Sequence, residues 1–233
     1  MSAAQLRTNS PVNISRVLAN AAVFDFRRHS TRERFMDASN ISQEAEELFD
    51  LLETRGTPFL LVGGLAMLAH VRGRNTDDVD LIISVPDQKR LEPEVALVEA
   101  GNPFSMGRYK QLRVDYLDAG APFFRLIAEN YGERRRFDFL RGCRELVCAS
   151  PAGLMLLKMH ALPHVTRQGD WERVNAYEND VLLLWLAHPE TDPAKLLPVL
   201  APFVDDAGRF SLEKEVLPDI ARRRARMMRQ SGV

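Results

Sequence analysis

Phe59-Leu-Leu-Val-Gly-Gly-Leu-Ala-Met-Leu-Ala-His-Val-Arg-Gly-Arg-Asn-Thr-Asp-Asp-Val-Asp-Leu-Ile-Ile-Ser84 is the stretch on which the fold turns. Its last part alternates carboxylates with apolar residues. A strand turns its side chains to opposite faces at every residue. Asp78 and Asp80 therefore share one face, while Val79, Leu81 and Ile83 face a core. Asp77 falls on the apolar side and is the weaker candidate for chemistry. Asp78 and Asp80 stand 14 and 16 residues after Gly64.

Two carboxylates about 5 Å apart repel by roughly 3 kcal/mol at an effective dielectric near 20. A shared proton relieves that repulsion, and so does a bridging hard cation. Magnesium typically uses one or two protein carboxylates plus substrate phosphates, so a phosphate cradle nearby favours the metal. Gly63 and Gly64 offer one. Pro58 to Val62 reads as a short buried strand. Leu65 to Val71 reads as a helix that Gly73 stops. The glycine pair sits at the strand-to-helix turn, where backbone N–H groups are open to a phosphate. Arg72, Arg74 and Thr76 add cationic and hydroxyl donors just before the acidic strand.

The combination Gly63-Gly64, Arg74-x-Thr76 and Asp78-Val79-Asp80-Leu81 resembles the first motif of the nucleotidyltransferases of the DNA polymerase beta superfamily. Within that group it is most similar to the abortive-infection AbiEii-type toxins. Gly64 stands where the wider superfamily carries serine, which removes a hydroxyl contact to phosphate. The resemblance spans 58–186 and implies a third metal carboxylate on a neighbouring strand. Asp115, in Gln111-Leu-Arg-Val-Asp-Tyr-Leu117, is on the next strand. Asp138, in Arg136-Phe-Asp-Phe-Leu140, is the alternative, with an ion pair to Arg134 or Arg136 as its structural reading. Relatives also carry a lysine in a Ser-Pro-x-x-Leu-x-x-x-Lys setting, matched by Ser150, Pro151, Leu154 and Lys158. An aspartate one helix later is matched by Asp180, although Ala176 and Tyr177 replace the Lys-Asp that precedes it in relatives.

A chain of 233 residues with 45% hydrophobic and 27% charged residues is an ordinary globular protein. Its net charge of −1 creates no field that attracts nucleic acid to the whole molecule. Two local basic runs stand out: Arg134-Arg135-Arg136, and Arg222, Arg223, Arg224, Arg226 and Arg229. Each reads either as a solvated face or as an RNA contact. Cys143 and Cys148 lack zinc-site spacing and read as free thiols of a reducing cytosol. The five histidines (29, 70, 160, 164 and 188) show no ligand spacing. His160 and His164 are four apart, but Pro163 is expected to end their helix at Leu162. No signal-peptide core and no apolar run near 18 residues is visible, so the expected location is the cytoplasm, away from membranes.

Residues 1–40 read as a peripheral extension, with a short helix or strand over Val17 to Phe26. Ser42 is a candidate N-cap for a helix from Gln43 to Arg55. Asp87 to Ala100 reads as a helix, and Asp118 as a turn residue. After Ser150-Pro151, an N-cap with proline at the first helical position, the chain reads as all helical, over 151–162, 170–185, 194–203 and 212–228. The expected fold is thus α/β (α+β): a small mixed nucleotidyltransferase-type sheet with flanking helices over 41–149, followed by a helical half over 150–233.

The function implied is a metal-dependent nucleotidyltransferase. Asp78, Asp80 and Asp115 would hold Mg²⁺, with two ions in the two-metal manner. Gly63, Gly64, Arg74 and Thr76 would bind the nucleoside triphosphate, with Arg74 and Lys158 set against the departing pyrophosphate. The AbiEii-like resemblance implies an RNA acceptor such as tRNA, in a toxin–antitoxin setting with a cognate antitoxin protein. Two alternatives remain: transfer to a small hydroxylated molecule such as an antibiotic, and a catalytically silent protein of the same fold that binds a partner.

Overall fold

The computed structural model describes residues 38–71, 76, 78–92, 94–138 and 144–230. Arg72, Arg74, Asp77, Cys143 and the 17–26 segment lie outside them. Helix α1 (Ala38–Thr54) leads into strand β1 (Leu60–Val62), the short helix α2 (Gly63–Met67) and strand β2 (Asp78–Ile83). Helix α3 (Val85–Arg90) and strands β3 (Ala96–Glu99), β4 (Phe104–Tyr109) and β5 (Leu112–Asp118) follow. Helix α4 (Pro122–Asn130), strands β6 (Gly132–Phe137) and β7 (Arg144–Ala149), and the long helices α5 (Pro151–Arg167) and α6 (Trp171–Ala187) come next. The chain closes with short helical turns and a last helix, α7 (Leu217–Gln230), entered through a π-helical turn at Leu212–Val216.

The strands form one seven-stranded mixed sheet in the order β3-β4-β5-β2-β1-β7-β6. Strand β2 lies at its centre, antiparallel to β1 and parallel to β5. The alternation read in the sequence holds on β2: Val79, Leu81 and Ile83 are buried, and Asp78 and Asp80 lie on the other face. Ile82, on the carboxylate face, is buried as well. From α1, Leu48, Phe49 and Leu52 enter the core, and Phe49 stacks on Phe59. The hydrophobic cluster runs from Ala45 in α1 to Ile220 in α7.

Several boundaries differ from the sequence reading. The first helix starts at Ala38, so Ser42 lies within it and does not cap it. The helix after β1 begins on the glycine pair and ends at Met67. The helix expected over Asp87 to Ala100 stops at Arg90. Pro93 has no N–H to continue it, and Ala96–Glu99 instead pairs with β4 as the edge strand. Strand β4 and helix α4 had no counterpart among the expected elements. Asp118 ends β5, and its Oδ1 accepts from Gly120 N at 2.8 Å, which is the turn role expected of it.

The largest difference is at Pro163. Helix α5 does not end at Leu162 but passes through Pro163 to Arg167. Proline removes one backbone hydrogen bond at a cost of about 3 kcal/mol. Burial of Leu162, Pro163 and Val165 against the rest of the helical half offsets it. The N-terminus of α5 is as expected: Ser150 Oγ accepts from Gly153 N at 3.3 Å. Asp170 caps α6 in the same manner, accepting from Arg173 N at 3.1 Å. Among the described residues, no helix is long and apolar enough to cross a membrane.

Candidate active site

The parallel register of β2 and β5 sets Asp78 opposite Arg113 and Asp80 opposite Asp115. Residues two apart on a strand share a face, so these four side chains form a square on one face of the sheet. Carboxylate oxygens of Asp78, Asp80 and Asp115 lie within 4.8 Å of one another. Asp138, the alternative third carboxylate, is not among them. It follows β6, at the far edge of the sheet, and pairs with Arg136 at 3.0 Å.

The glycine pair shapes this cluster. Gly63 has φ +65°, and a Cβ on it would fall 1.7 Å from Asp80 Oδ2. Only glycine lets the carboxylate lie so close against the β1–α2 turn. The Gly64 N–H, expected to meet phosphate, here favours the charged form of the Asp80 carboxyl. Thr76 is buried, and its Oγ1 donates to Asp78 Oδ1 at 2.7 Å. Gly63, Gly64 and Thr76 therefore act first on the two aspartates, fixing their positions.

Burial pushes the Asp80 carboxyl up to about 8, with repulsion from Asp78 and then Asp115 adding to it and Lys158 opposing it. Asp115 is raised too, chiefly by burial, against its ion pair with Arg113. A carboxylate cluster so poorly compensated suits a hard divalent cation, which takes oxygen ligands and supplies the missing charge. The donor set thus fits Mg²⁺ or a similar ion.

Lys158, reached by its spacing from Ser150-Pro151, points into the same space from α5. Its Nζ is 3.0 Å from Asp180 Oδ2 and 4.4 Å from the centre of the Tyr177 ring. Asp180 is buried. It holds the lysine in place, which gives this aspartate a positioning part. Tyr177 supplies the ring beneath the ammonium.

Asp78, Asp80, Asp115, Lys158 and Tyr177 line a cavity of about 610 Å³ between the sheet and helices α5 and α6. Its wall includes residues that the sequence reading passed over, Arg113, Arg173, Glu99 and Phe104, and His160, which was weighed there only as a metal ligand. Arg113 was the most accessible of these, since the alternation that unites Asp78 and Asp80 also unites Arg113 and Asp115. His160 lies under Phe123, ring centres 4.0 Å apart, and burial lowers its pKa.

No protein-family model matches the chain, and no curated protein matches its sequence. Solved structures do match. The solution structure of the antibiotic-resistance factor ANT(2'')-Ia aligns at 16% identity and a TM-score of 0.53, over 72% of this chain and 92% of that one. The crystal structure of ANT(2'')-Ia in complex with adenylyl-2''-tobramycin aligns at 14% identity and a TM-score of 0.51, over 71% of this chain and 97% of that one. An antigenic nucleotidyltransferase-like protein from Paracoccidioides brasiliensis aligns at 14% identity and a TM-score of 0.46, over 82% and 88%. The fold of this chain is the nucleotidyltransferase-type α/β fold.

Proposed function

We propose that this protein is a divalent-metal-dependent nucleotidyltransferase, with Asp78, Asp80 and Asp115 as the metal-holding carboxylates and Lys158 as the cation facing the phosphates. The observation that carries the reading is the convergence of the three carboxylates and Lys158 on one cavity. In the reaction, an acceptor hydroxyl attacks the α-phosphorus of a nucleoside triphosphate. The bond to the bridging oxygen of the pyrophosphate breaks, and the hydroxyl proton passes to the carboxylate cluster. A bound Mg²⁺ would supply charge stabilisation for the attacking and leaving oxygens. Gly63 and Gly64 keep Asp80 seated, Thr76 aims Asp78, and Asp180 with Tyr177 steadies Lys158. In this reading the sheet half, 41–149, carries the metal and the helical half, 150–233, supplies the phosphate-facing lysine. Arg74, proposed with it for the pyrophosphate, lies outside the described residues.

We favour a small, hydroxylated and cationic acceptor over RNA. Six carboxylates line the cavity (Asp78, Asp80, Glu99, Asp115, Asp170 and Glu172) against the permanent cations Arg113, Lys158 and Arg173. With Asp78, Asp80 and Asp115 given to the metal, Glu99, Asp170 and Glu172 remain on the wall as anionic partners for a cationic acceptor. Five of the eight arginines in the basic runs are engaged within the molecule. Arg135 pairs with Glu133, Arg136 with Asp138, Arg222 with Asp219 and Arg223 with Glu178. Arg224 lies over the Trp185 ring. The likeness to an antibiotic-resistance factor solved with adenylyl-2''-tobramycin agrees with this choice.

The test is to incubate the protein with α-labelled nucleoside triphosphates and Mg²⁺, in parallel with a panel of aminoglycosides that includes tobramycin and with total RNA. Label on an aminoglycoside, lost in Asp78→Ala, supports the proposal. Label on tRNA-sized bands selects the toxin reading. Metal and nucleotide binding without transfer to any acceptor selects the silent binding protein.

A further inference from the structure

The square on the sheet face has three carboxylate corners, and its fourth is Arg113. The guanidinium grips Asp115 with both arms: Nε is 2.8 Å from Oδ1, and Nη2 is 2.5 Å from Oδ2. Each oxygen of the third carboxylate thereby accepts one charge-assisted bond, in the fork geometry that makes arginine–carboxylate pairs strong and directional. Arg113 is about half exposed and lines the cavity, so the guanidinium has room to leave. Once a cation has displaced the Asp80 proton, three carboxylates and one guanidinium sum to −2, which one divalent cation balances. With the guanidinium withdrawn the count is −3, and a second cation becomes favourable.

We propose that Arg113 is the gate of the metal site, a positioning residue that withholds Asp115 until an anion draws the guanidinium away. This rests on the metal-dependent reading above. Without nucleotide, one divalent cation binds at Asp78 and Asp80. A triphosphate entering the cavity offers the guanidinium oxygens of the same fork geometry as a carboxylate. Arg113 transfers to it, Asp115 is released, and the second cation binds. The site is thereby completed only when the nucleotide is present. A fully loaded metal centre facing water or a wrong acceptor is avoided.

The experiment counts bound Mn²⁺ by the loss of the free-ion signal in electron paramagnetic resonance, using the full chain without nucleotide. Wild type is expected to bind one ion tightly and a second only weakly. Arg113→Ala is expected to bind the second about tenfold or more tightly, the scale of losing one forked, charge-assisted pair. Arg113→Lys keeps the charge and loses the fork, and is expected to follow Arg113→Ala. A non-hydrolysable nucleoside triphosphate should bring wild type to two ions and change Arg113→Ala little. Melting curves establish that both variants are folded.

Equal second-site affinities in all three proteins overturn the gate. A lysine variant indistinguishable from wild type, with the alanine variant tight, assigns the effect to charge alone and overturns it as well. Failure of every protein, wild type included, to bind any Mn²⁺ overturns the metal reading itself and the gate with it.

Discussion

The side chain of Thr76 fills the space that a side chain at Gly64 would need. A Cβ built on Gly64 falls 2.4 Å from Thr76 Oγ1 and 2.6 Å from Thr76 Cβ. The hydroxyl beside position 64 is that of Thr76, and it donates to Asp78. Gly64→Ala should destabilise the protein by about 1–3 kcal/mol, the usual cost of overpacking. Gly64→Ala with Thr76→Gly should be more stable than the sum of the two single changes predicts. Urea denaturation of the four proteins measures the coupling, and additive losses would remove the steric account.

Gly63 is a stricter position. Its φ of +65° is in the left-handed region, and the Asp80 carboxylate occupies the volume of any Cβ. Alanine there costs about 1–2 kcal/mol from the backbone conformation alone. Asp80 must also move. Gly63→Ala should therefore lose most of the rise in melting temperature that Mg²⁺ gives wild type, while its circular dichroism stays that of the folded protein. An undiminished Mg²⁺ response would mean that Asp80 does not need this seat.

The Asp80 carboxyl sets the pH dependence without metal. Its pKa in the folded protein is about 8, against an ordinary value of 3.8. Between those values the folded state keeps a proton that the unfolded state releases. The contribution to stability is thus fully present below about pH 4 and is lost as pH rises towards 8, by at most about 1.4 kcal/mol per unit. In a chelating buffer, Asp80→Asn should flatten this decline and melt above wild type at pH 8. A divalent cation displaces the same proton, so Mg²⁺ affinity should rise with pH up to about 8 and then level. Melting curves from pH 5 to 9, with chelator and with Mg²⁺, check both signs.

How much of this was legible in the sequence follows from how local each signal is. Asp78 and Asp80 were legible because strand alternation is a local rule. Asp115 came from the resemblance, which implies a third carboxylate on a neighbouring strand. Strand β5 is that neighbour in the sheet, although β3 and β4 precede it in the chain. The spacing of Lys158 from Ser150-Pro151 carried it onto α5. The edge of the sheet was not legible. Ala96 to Glu99 is exposed along its whole length, so no alternation marks it as a strand, and only pairing with β4 makes it one. The course of α5 through Pro163 depends on tertiary packing, which overrides the local preference of proline. Arg113 was within reach of the alternation rule, but its grip on Asp115 was not, since the choice of partner belongs to the side-chain geometry.

Lys158 and Asp180 form a buried pair, with 11% and 2% of their side chains exposed. Lys158→Met should cost about 3–5 kcal/mol by leaving Asp180 uncompensated. Lys158→Met with Asp180→Leu should regain most of that stability, since both charges are gone. It should not regain nucleotide affinity, since no ammonium faces the phosphates. Chemical denaturation and equilibrium nucleotide binding with Mg²⁺ separate the two roles. Restored binding in the double variant would make the lysine purely structural.

The central claim, that Asp78, Asp80 and Asp115 together hold the metal for a bound nucleotide, is tested most directly by crystals grown with Mn²⁺ and a non-hydrolysable nucleoside triphosphate. The measurement is the anomalous difference map at the manganese edge. The account predicts manganese in direct contact with carboxylate oxygens of all three aspartates and with phosphate oxygens of the nucleotide, and Arg113 turned away from Asp115. A map with no manganese on this cluster, or with manganese at Asp138 and none at Asp115, would contradict it.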